Sequence, residues 1–346
     1  MKKILVVGAF GYDNNQLDGQ TIKTRSVYEL LEKRLLGRVS YIDTLSLRRK
    51  PYLLFTLIYR LMTSNTLIVL PALNNLTYLF PVFYYLSKIF KYEIVHICIG
   101  GWQIEYFWGL GNYRRHLTLL RMTKKIKAFL PEMDSVNEYF VKNCGFANTE
   151  VLYNFRAFNR PPQTISNEDG LRLVFMARIH RMKGYDVIFN SIDFLRRNCP
   201  GSKVVFYGWI NPEDETDFLN KVEAFSDVAE FKGTLTPDVI HQTLAQYDVL
   251  LLPTKFYTEG FPGSILDAYI AGIPVVVSEW KHSREFVKDG DTGIIVPFED
   301  NQNAFNAAIL SLFNDRNKLN EMKQKAYMEA NKYSEDTAWS ILERYI

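Results

Sequence analysis

The stretch from Thr258 to Pro274 combines two carboxylates with a glycine-containing loop at the start of a predicted helix. Glu259 precedes the loop, and Asp267 lies in the helix that the apolar pattern predicts from Ser264 onward. The first turn of a helix offers unpaired N–H groups and the positive end of the helix dipole, which attract phosphate. The flanking carboxylates are suited to sugar hydroxyls, because an ionised carboxylate accepts several hydrogen bonds. This order favours a ligand with hydroxyl groups on both sides of a diphosphate, as in a nucleotide-sugar.

The neighbouring residues predict the elements that hold this stretch. The apolar run Val249-Leu250-Leu251-Leu252 ends at Pro253 and is typical of a buried parallel strand. Gly272 and Pro274 predict the end of the following helix. The sequence therefore predicts a strand, a glycine loop and a helix N-terminus in that order.

The same stretch resembles the donor-site signature of the family-4 retaining glycosyltransferases of the GT-B fold. That signature is a Glu followed by seven residues and a second Glu, with Gly-Phe-Gly after the first. Here the chain reads Glu259-Gly260-Phe261-Pro262 and ends at Asp267. Pro262 removes one backbone N–H from the implied phosphate contact, and Asp267 is one methylene shorter than the Glu implied to reach the ribose. The resemblance is strong over residues 171–300 and weaker over residues 1–155.

The resemblance implies roles for residues in both halves of the chain. Glu259 is implied to orient the sugar hydroxyls, while Arg178 and Lys183 balance the charge on the departing diphosphate. The turn Gly233-Thr234-Leu235 resembles a base-recognition turn. The other implied donor-binding residues are Gly19, Phe261, Pro262, Gly263, Ser264, Ile265 and Asp267. The residues implied to shape the acceptor side are Gly100, Gly101 and Trp102.

The length and the alternation of predicted strands and helices indicate an α/β protein of two domains. The chain has 346 residues, 47% hydrophobic and 23% charged, which is typical of globular proteins. We predict two Rossmann-like, doubly wound domains facing a cleft, the GT-B architecture that the resemblance implies. The predicted parts are an acceptor-binding domain over 1–155, a linker over 156–170, a donor domain over 171–330 and a C-terminal helix over 331–346 that packs back on the first domain.

The charge is distributed unevenly and predicts an anionic partner for the first half. Residues 1–155 carry 20 Lys and Arg against 11 Asp and Glu, or +9, whereas residues 156–346 carry 21 against 27, or −6. Two basic and aromatic segments, 47–60 and 113–127, favour peripheral contact with an anionic membrane. The uncharged stretch 61–87 is interrupted by two prolines, so it predicts a buried strand and helix rather than a membrane span.

Several other classes of protein fit the sequence less well. The first glycine loop reads Gly8-Ala9-Phe10-Gly11, not the G-x-G-x-x-G that a nicotinamide enzyme needs. Asp289-Gly290-Asp291 resembles a metal-binding motif, but it precedes Thr292-Gly293 and predicts a hairpin-like turn, so no metal cofactor is expected. The basic residues form no recognised nucleic-acid motif. Three widely separated cysteines predict a reduced, cytosolic protein. The two basic and aromatic segments predict that it works at the inner face of the cell membrane.

The reaction that the resemblance implies is a transferase reaction. A hexose would pass from a nucleotide-sugar, expected to be UDP-linked, to a glycan or lipid-linked glycan with retention of configuration. The expected context is bacterial surface polysaccharide synthesis, as for capsule or lipopolysaccharide. Two alternatives stay open: a GT-B nucleotide-sugar epimerase, and a non-catalytic partner subunit of a glycosyltransferase.

Overall fold

The structure is a computed structural model, and it describes residues 2–13, 16, 18–47, 49–71, 73–109, 113–157, 160–162 and 170–346. The chain divides into two compact units. One unit comprises Met1–Ala157 together with Tyr333–Ile346, and the other comprises Phe158–Lys332. The predicted linker, 156–170, falls mostly on residues 158, 159 and 163–169, which lie outside the described part of the chain.

The first unit is built on a parallel sheet with the strand order β2-β1-β3-β4-β5. Its strands are β1 (Ile4–Gly8), β2 (Val39–Asp43), β3 (Thr66–Leu70), β4 (Glu93–Ile97) and β5 (Ala128–Leu130). Its helices are α1 (Gly19–Leu35), α2 (Thr44–Leu47), α3 (Leu53–Thr63), α4 (Leu73–Phe90), α5 (Gln103–Gly109), α6 (Tyr113–Thr123) and α7 (Asp134–Cys144). The uncharged stretch 61–87 is thus a strand and a helix, as its sequence predicts, but the helix is not buried on all sides, because Tyr78, Val82 and Tyr85 are exposed.

The end of the chain belongs to the core of the first unit. A helix at Glu335–Leu342 buries Ala338 and Leu342 in one cluster with Val27 and Leu31 of α1 and with the strands of the sheet. Lys33 of α1 also pairs with Glu335. The first unit therefore includes two segments that are far apart in sequence.

The second unit is built on a second parallel sheet, with the strand order β11-β10-β9-β6-β7-β8. Its strands are β6 (Arg172–Met176), β7 (Lys203–Tyr207), β8 (Ala229–Phe231), β9 (Val249–Leu252), β10 (Val275–Ser278) and β11 (Gly293–Val296). Its helices are α8 (Tyr185–Asn190), α9 (Ile192–Asn198), α10 (Glu215–Ala224), α11 (Ile240–Leu244), α12 (Gly263–Ala271), α13 (Ser283–Phe286), α14 (Gln302–Asn314) and α15 (Arg316–Glu329), and the helix Glu335–Leu342 of the first unit is α16.

The strand order of the second unit creates a switch point beside β6. The chain runs outward from β6 to β7 and β8, then returns to place β9 on the other side of β6. In open α/β sheets, ligands bind at the carboxyl ends of the strands that flank such a reversal. The loops that follow β6 and β9 are therefore where a site is expected.

No helix in the described part of the chain has both the length and the hydropathy that a membrane-spanning helix needs. The longest apolar helix, α4, contains Pro81. One turn also differs from its prediction. The turn at Asp289-Gly290-Asp291 leads into β11, which pairs in parallel with β10, so this turn does not join a hairpin.

Candidate functional site

The loops that follow β6 and β9 are fixed to each other. The carbonyl oxygen of Met182 accepts hydrogen bonds from the backbone N–H of Lys255 at 2.9 Å and from the Thr254 hydroxyl at 3.1 Å. Gly184 has a φ of +81°, and a Cβ there would overlap the carbonyl oxygen of Pro253. A side chain at Gly184 would separate the two loops, so the glycine is required by their close approach.

These two loops bring Lys183 and Glu259 into an ion pair. Lys183 ends a short 3₁₀ turn that begins at Arg181, and its ammonium donates a hydrogen bond to Oε2 of Glu259. The Lys183 side chain is 19% exposed and that of Glu259 is 16% exposed. Two residues assigned to the site from sequence, separated by more than seventy positions, thus meet at the switch point of the sheet.

The helix α12 begins beside this pair. Pro262 is its N-cap, and its extended backbone turns the chain into the helix. Gly263 and Ser264 at the first turn are partly exposed, and neither backbone N–H has a hydrogen-bond partner among the described residues. The predicted third donor, Ile265, already donates its N–H to the carbonyl oxygen of Pro262 at 3.1 Å. The helix start therefore offers two backbone donors to a ligand instead of three.

The side chain of Phe261 is buried and packs against another aromatic ring. Its side chain is 4% exposed and stacks on the ring of Phe286, with ring centroids 4.1 Å apart. Its ring therefore packs in the interior of the unit, so a donor contact at this position would have to come from the backbone.

Asp267 lies one turn further along α12 and has a partner that the sequence did not single out. His241 of α11 places its Nε2 3.2 Å from Oδ1 of Asp267. Asp267 is buried, with 5% of its surface exposed. The helices α11 and α12 pack against each other, which fixes this pair. The signal for His241 in the sequence was weak, because the two residues are 26 positions apart and belong to no common motif.

Arg178 lies at the same edge of the sheet as the loops described above. It follows β6, it is exposed, and it has no ion pair among the described residues. The next residue, Ile179, donates its N–H to the carbonyl oxygen of Trp209 at 2.9 Å, which joins the loops after β6 and β7. Nearby Arg181, by contrast, is held in ion pairs with Asp214 and Asp217, which gives it a structural role.

The turn at Gly233 is attached to the same row of loops. Gly208, with a φ of +146°, donates its N–H to the carbonyl oxygen of Gly233 at 2.8 Å. Gly233 has a φ of +74° and open space on its side-chain side. Thr234 is exposed and Leu235 is half-buried. The loops after β6, β7 and β8 thus form one continuous edge of the second unit.

Gly19 belongs to the first unit, where it is the first residue of α1. Asp18 caps this helix: its carboxylate accepts from the backbone N–H of Thr21 at 2.9 Å, and the Thr21 hydroxyl accepts from the backbone N–H of Asp18 at 3.1 Å. A Cβ at Gly19 would meet no atom within 4 Å, so the space beside it is open. The capping carboxylate makes this helix start less suited to an anion than that of α12.

Gly100, Gly101 and Trp102 lie in the first unit after β4. Gly100 has a φ of +88° and donates its N–H to Oε1 of Glu132 at 3.0 Å. The ring of Trp102 is half-buried and packs edge-on against Tyr106 with centroids 5.4 Å apart. The turn is therefore held in place by a carboxylate and an aromatic contact.

The two aspartates of the predicted turn have protein partners. Asp289 accepts the N–H of Ile295 at 2.9 Å, and Asp291 pairs with Lys325 at 2.5 Å. Over the described ranges, no three His, Cys, Asp or Glu side chains are grouped as metal ligands.

Comparison with known proteins links the second unit to a family. The family model described as Glycosyl transferases group 1 matches residues 158–329. These residues cover nearly all of the second unit, including Arg178, Lys183, Glu259 and Asp267.

Some curated relatives of the chain are named for bacterial polysaccharide synthesis. It is 28% identical over 133 residues, 38% of this chain and 34% of the relative, to an uncharacterized 41.2 kDa protein in the cps region of Klebsiella pneumoniae. It is 26% identical over 148 residues, 41% of this chain and 36% of the relative, to the amylovoran biosynthesis glycosyltransferase AmsK of Erwinia amylovora. The chain thus spans about a third of the length of these curated relatives.

Solved structures resemble the whole chain. HepE of Anabaena in complex with UDP has a TM-score of 0.76 at 15% identity, with 99% of each chain covered. The sucrose-phosphate synthase of Thermosynechococcus elongatus has a TM-score of 0.74 at 14% identity, with 99% of this chain and 98% of that chain covered. Identities this low establish the fold alone. The prediction of two Rossmann-like domains of the GT-B class is confirmed.

Proposed function

The second unit is a domain of the glycosyl transferases group 1 family, and we propose that the chain transfers a hexose from a UDP-linked nucleotide-sugar with retention of configuration. The observation that carries this proposal is the meeting of Lys183 and Glu259 beside the start of α12. A cation, a carboxylate and two backbone N–H donors at one switch point match the diphosphate and the sugar of such a donor.

The proposed roles follow from the position of each residue. Lys183 and Arg178 stabilise the leaving diphosphate, and the N–H groups of Gly263 and Ser264 bind the same diphosphate at the helix start. Asp267 accepts hydrogen bonds from the ribose hydroxyls. The turn Gly233-Thr234-Leu235 contacts the base through its backbone.

The ion pair couples diphosphate binding to sugar binding. While the Lys183 ammonium bonds to Glu259, one oxygen of that carboxylate is occupied. A diphosphate carries more negative charge than a carboxylate and therefore competes for the ammonium. Binding of the diphosphate would then release the Glu259 oxygen to accept hydrogen bonds from the sugar hydroxyls. We expect this chemistry to need no metal ion, since two cationic side chains are available to balance the leaving charge.

For the acceptor, we propose a glycan or lipid-linked glycan of bacterial surface polysaccharide synthesis, used at the inner face of the cell membrane. The relatives named for a cps region and for amylovoran biosynthesis support this context. The turn Gly100-Gly101-Trp102 is proposed to shape the acceptor side, because it presents a partly exposed indole at the end of a strand of the first unit.

The donor proposal is tested by calorimetric binding across UDP, GDP and their common sugar conjugates. We expect saturable binding of one UDP-sugar, weakened at least about tenfold in Lys183→Ala, since a charge-assisted hydrogen bond contributes about 1.5–3 kcal/mol. The matched control is Lys255→Ala. Lys255 is a neighbouring lysine that pairs with Asp186, and its loss removes an equal charge from the same loop region.

Two results would contradict the donor site. One is equal loss of binding in Lys255→Ala and Lys183→Ala, which would reduce the role of Lys183 to general electrostatics. The other is unchanged affinity in Lys183→Ala. Incubation of the UDP-sugar without acceptor tests the epimerase alternative. Formation of an isomerised free nucleotide-sugar would show that the protein is an epimerase and not a transferase.

A further inference from the structure

The first unit carries an exposed apolar surface on two of its helices. On α3, the large side chains turned toward solvent are Leu54, Phe55, Ile58, Tyr59 and Met62. On α4, they are Tyr78, Val82, Tyr85 and Ile89. We call these nine side chains the α3–α4 face. Phe55 is 79% exposed, and Tyr59 and Ile89 are each 67% exposed.

Each helix has a separate buried side that attaches it to the sheet. On α4, the exposed residues 78, 82, 85 and 89 alternate with a second stripe, Leu76, Phe80 and Phe83, which is buried. On α3, Leu57 and Leu61 are buried in the same way. Both helices thus bury one apolar stripe against the sheet and present a second apolar stripe to solvent, whereas a surface helix ordinarily has a polar outer side.

The two exposed stripes lie on the same side of the sheet. In the order β2-β1-β3-β4-β5, the connections from β2 to β3 and from β3 to β4 both run in the same direction. Right-handed crossovers therefore place α3 and α4 on one face, and α1, which connects β1 back to β2, on the other. The exposed apolar side chains of both helices thus lie on one face of this sheet, and nine of them on two helices are more than the scattered single apolar residues of an ordinary protein surface.

The segment of the chain that carries this surface has charges of one sign. Between Asp43 and Glu93 the sequence contains no Asp or Glu and six Lys or Arg. Of these, Arg49, Lys88 and Lys91 are exposed in the structure. Arg115 of the neighbouring α6 adds a cation directly over the ring of Tyr78, with its Cζ 4.6 Å from the ring centroid.

We propose that the α3–α4 face docks the protein on an anionic lipid bilayer. Apolar and aromatic side chains inserted at the level of the acyl boundary, with Lys and Arg among the headgroups, are the pattern of an interfacial membrane surface. A second copy of the chain fits less well, because a two-fold contact through this face would bring its cations against their own copies.

The structure thereby changes where the membrane contact is expected. The sequence pointed to residues 47–60 and 113–127. In the second of these segments, Leu119 and Met122 are buried, and no large apolar side chain among its described residues is exposed. The stripe on α4, which the sequence assigned to the interior, replaces it.

The test is co-sedimentation with phosphatidylcholine vesicles that contain or lack phosphatidylglycerol, at low salt. We expect binding to the anionic vesicles and at least about tenfold weaker binding by the triple variant Phe55→Ser, Tyr59→Ser, Ile89→Ser. Lys88→Gln and Lys91→Gln should each weaken binding about fivefold. The matched control is Leu36→Ser, at a residue 80% exposed just after α1, which should bind like the wild type.

Far-UV circular dichroism and the urea midpoint serve as the folding control, because the substituted residues lie in the first unit, whose folding is not reported by UDP-sugar binding to the second unit. Equal vesicle binding by the triple variant and the wild type would overturn the proposal. So would equal binding to neutral and anionic vesicles, because the charge would then have no part. If vesicle binding is absent and a wild-type dimer in sedimentation velocity dissociates in the triple variant, the face joins two copies instead.

Discussion

The two ends of strands β6 and β9 carry ion pairs of opposite character. At the amino end, the carboxylate of Asp248 is fully buried and bonded to Arg172 at 3.0 Å and to Lys323 at 2.7 Å. At the carboxyl end, Lys183 and Glu259 form a single pair in which each side chain keeps a small exposed fraction. The same two strands thus hold a closed network at one end and an open pair at the other.

The buried pairs at the amino end stabilise the sheet, whereas the pair at the carboxyl end is available for chemistry. Burial alone would raise the pKa of Asp248, but hydrogen bonds from Arg172 and the charge of Lys323 outweigh it and lower the pKa to about 2. Both carboxylate oxygens of Asp248 are used within this network, which fixes β6, β9 and α15 to one another. The pair at the other end keeps unused hydrogen-bonding capacity, and partial exposure lets a ligand replace one partner.

The largest effect is expected from Asp248→Ala. The variant leaves Lys323, 3% exposed, without its carboxylate, and removal of one partner from a buried pair costs about 3–5 kcal/mol of unfolding free energy. Urea denaturation followed by circular dichroism measures this. Asp186→Ala is the control, because its partner Lys255 is partly exposed and such pairs contribute about 0–1 kcal/mol. Similar losses in the two variants would remove the contrast between the ends.

Glu259→Ala is expected to lose activity while it keeps most of its stability. Because both side chains of its pair with Lys183 keep some contact with water, at 16% and 19% exposed, the free energy of unfolding should fall by less than the loss of about 3–5 kcal/mol expected for Asp248→Ala. Turnover should fall at least about 10²–10³-fold, the loss that follows removal of one preorganised group that stabilises the transition state. Arg178→Ala should give a loss of similar order. Near-normal transfer by folded Glu259→Ala would refute its proposed role.

Acid should weaken the amino end of the sheet. Because the pKa of Asp248 is about 2 in the folded protein and ordinarily 3.8, the unfolded state binds more protons between these values. The stability from this group is complete above pH 3.8 and is lost as the pH falls toward 2, by on the order of 2 kcal/mol. The urea midpoint against pH measures this, and Asp248→Asn should show a shallower decline. An equally steep decline in that variant would show that groups other than Asp248 cause the loss of stability in acid.

The sequence predicted the elements around the site because their signals are local. The apolar run before Pro253 and the glycine after Ala271 correspond to β9 and to the end of α12. The capping glycine adopts the left-handed conformation that ends a helix. The alternation of strands and helices along the sequence was also sufficient to predict the fold class. Alternating strands and helices form parallel sheets with right-handed connections in nearly all cases.

Features that depend on distant residues were not predictable in the same way. Asp248 and Lys323 are 75 positions apart, so no spacing pattern joins them. On α4, apolar residues occur on both sides of the helix, so the pattern does not tell which stripe meets the sheet. Burial also determined which predicted donor residues remain available, since Ile265 uses its N–H within the loop and Phe261 packs inside.

The smallest effect is expected from His241→Ala. Asp267 is one methylene shorter than the Glu that the resemblance implies, and the bond from His241 to its Oδ1 helps to fix the orientation of the carboxylate. Loss of a hydrogen bond to a charged group should raise the donor KM about tenfold and leave kcat nearly unchanged, because the ribose is distant from the reacting carbon. His241→Gln should restore much of the affinity, since its amide can donate to the same oxygen. Gln242→Ala, exposed on the same helix, is the control. A donor KM that stays at the wild-type value in His241→Ala would show that Asp267 is positioned without the histidine.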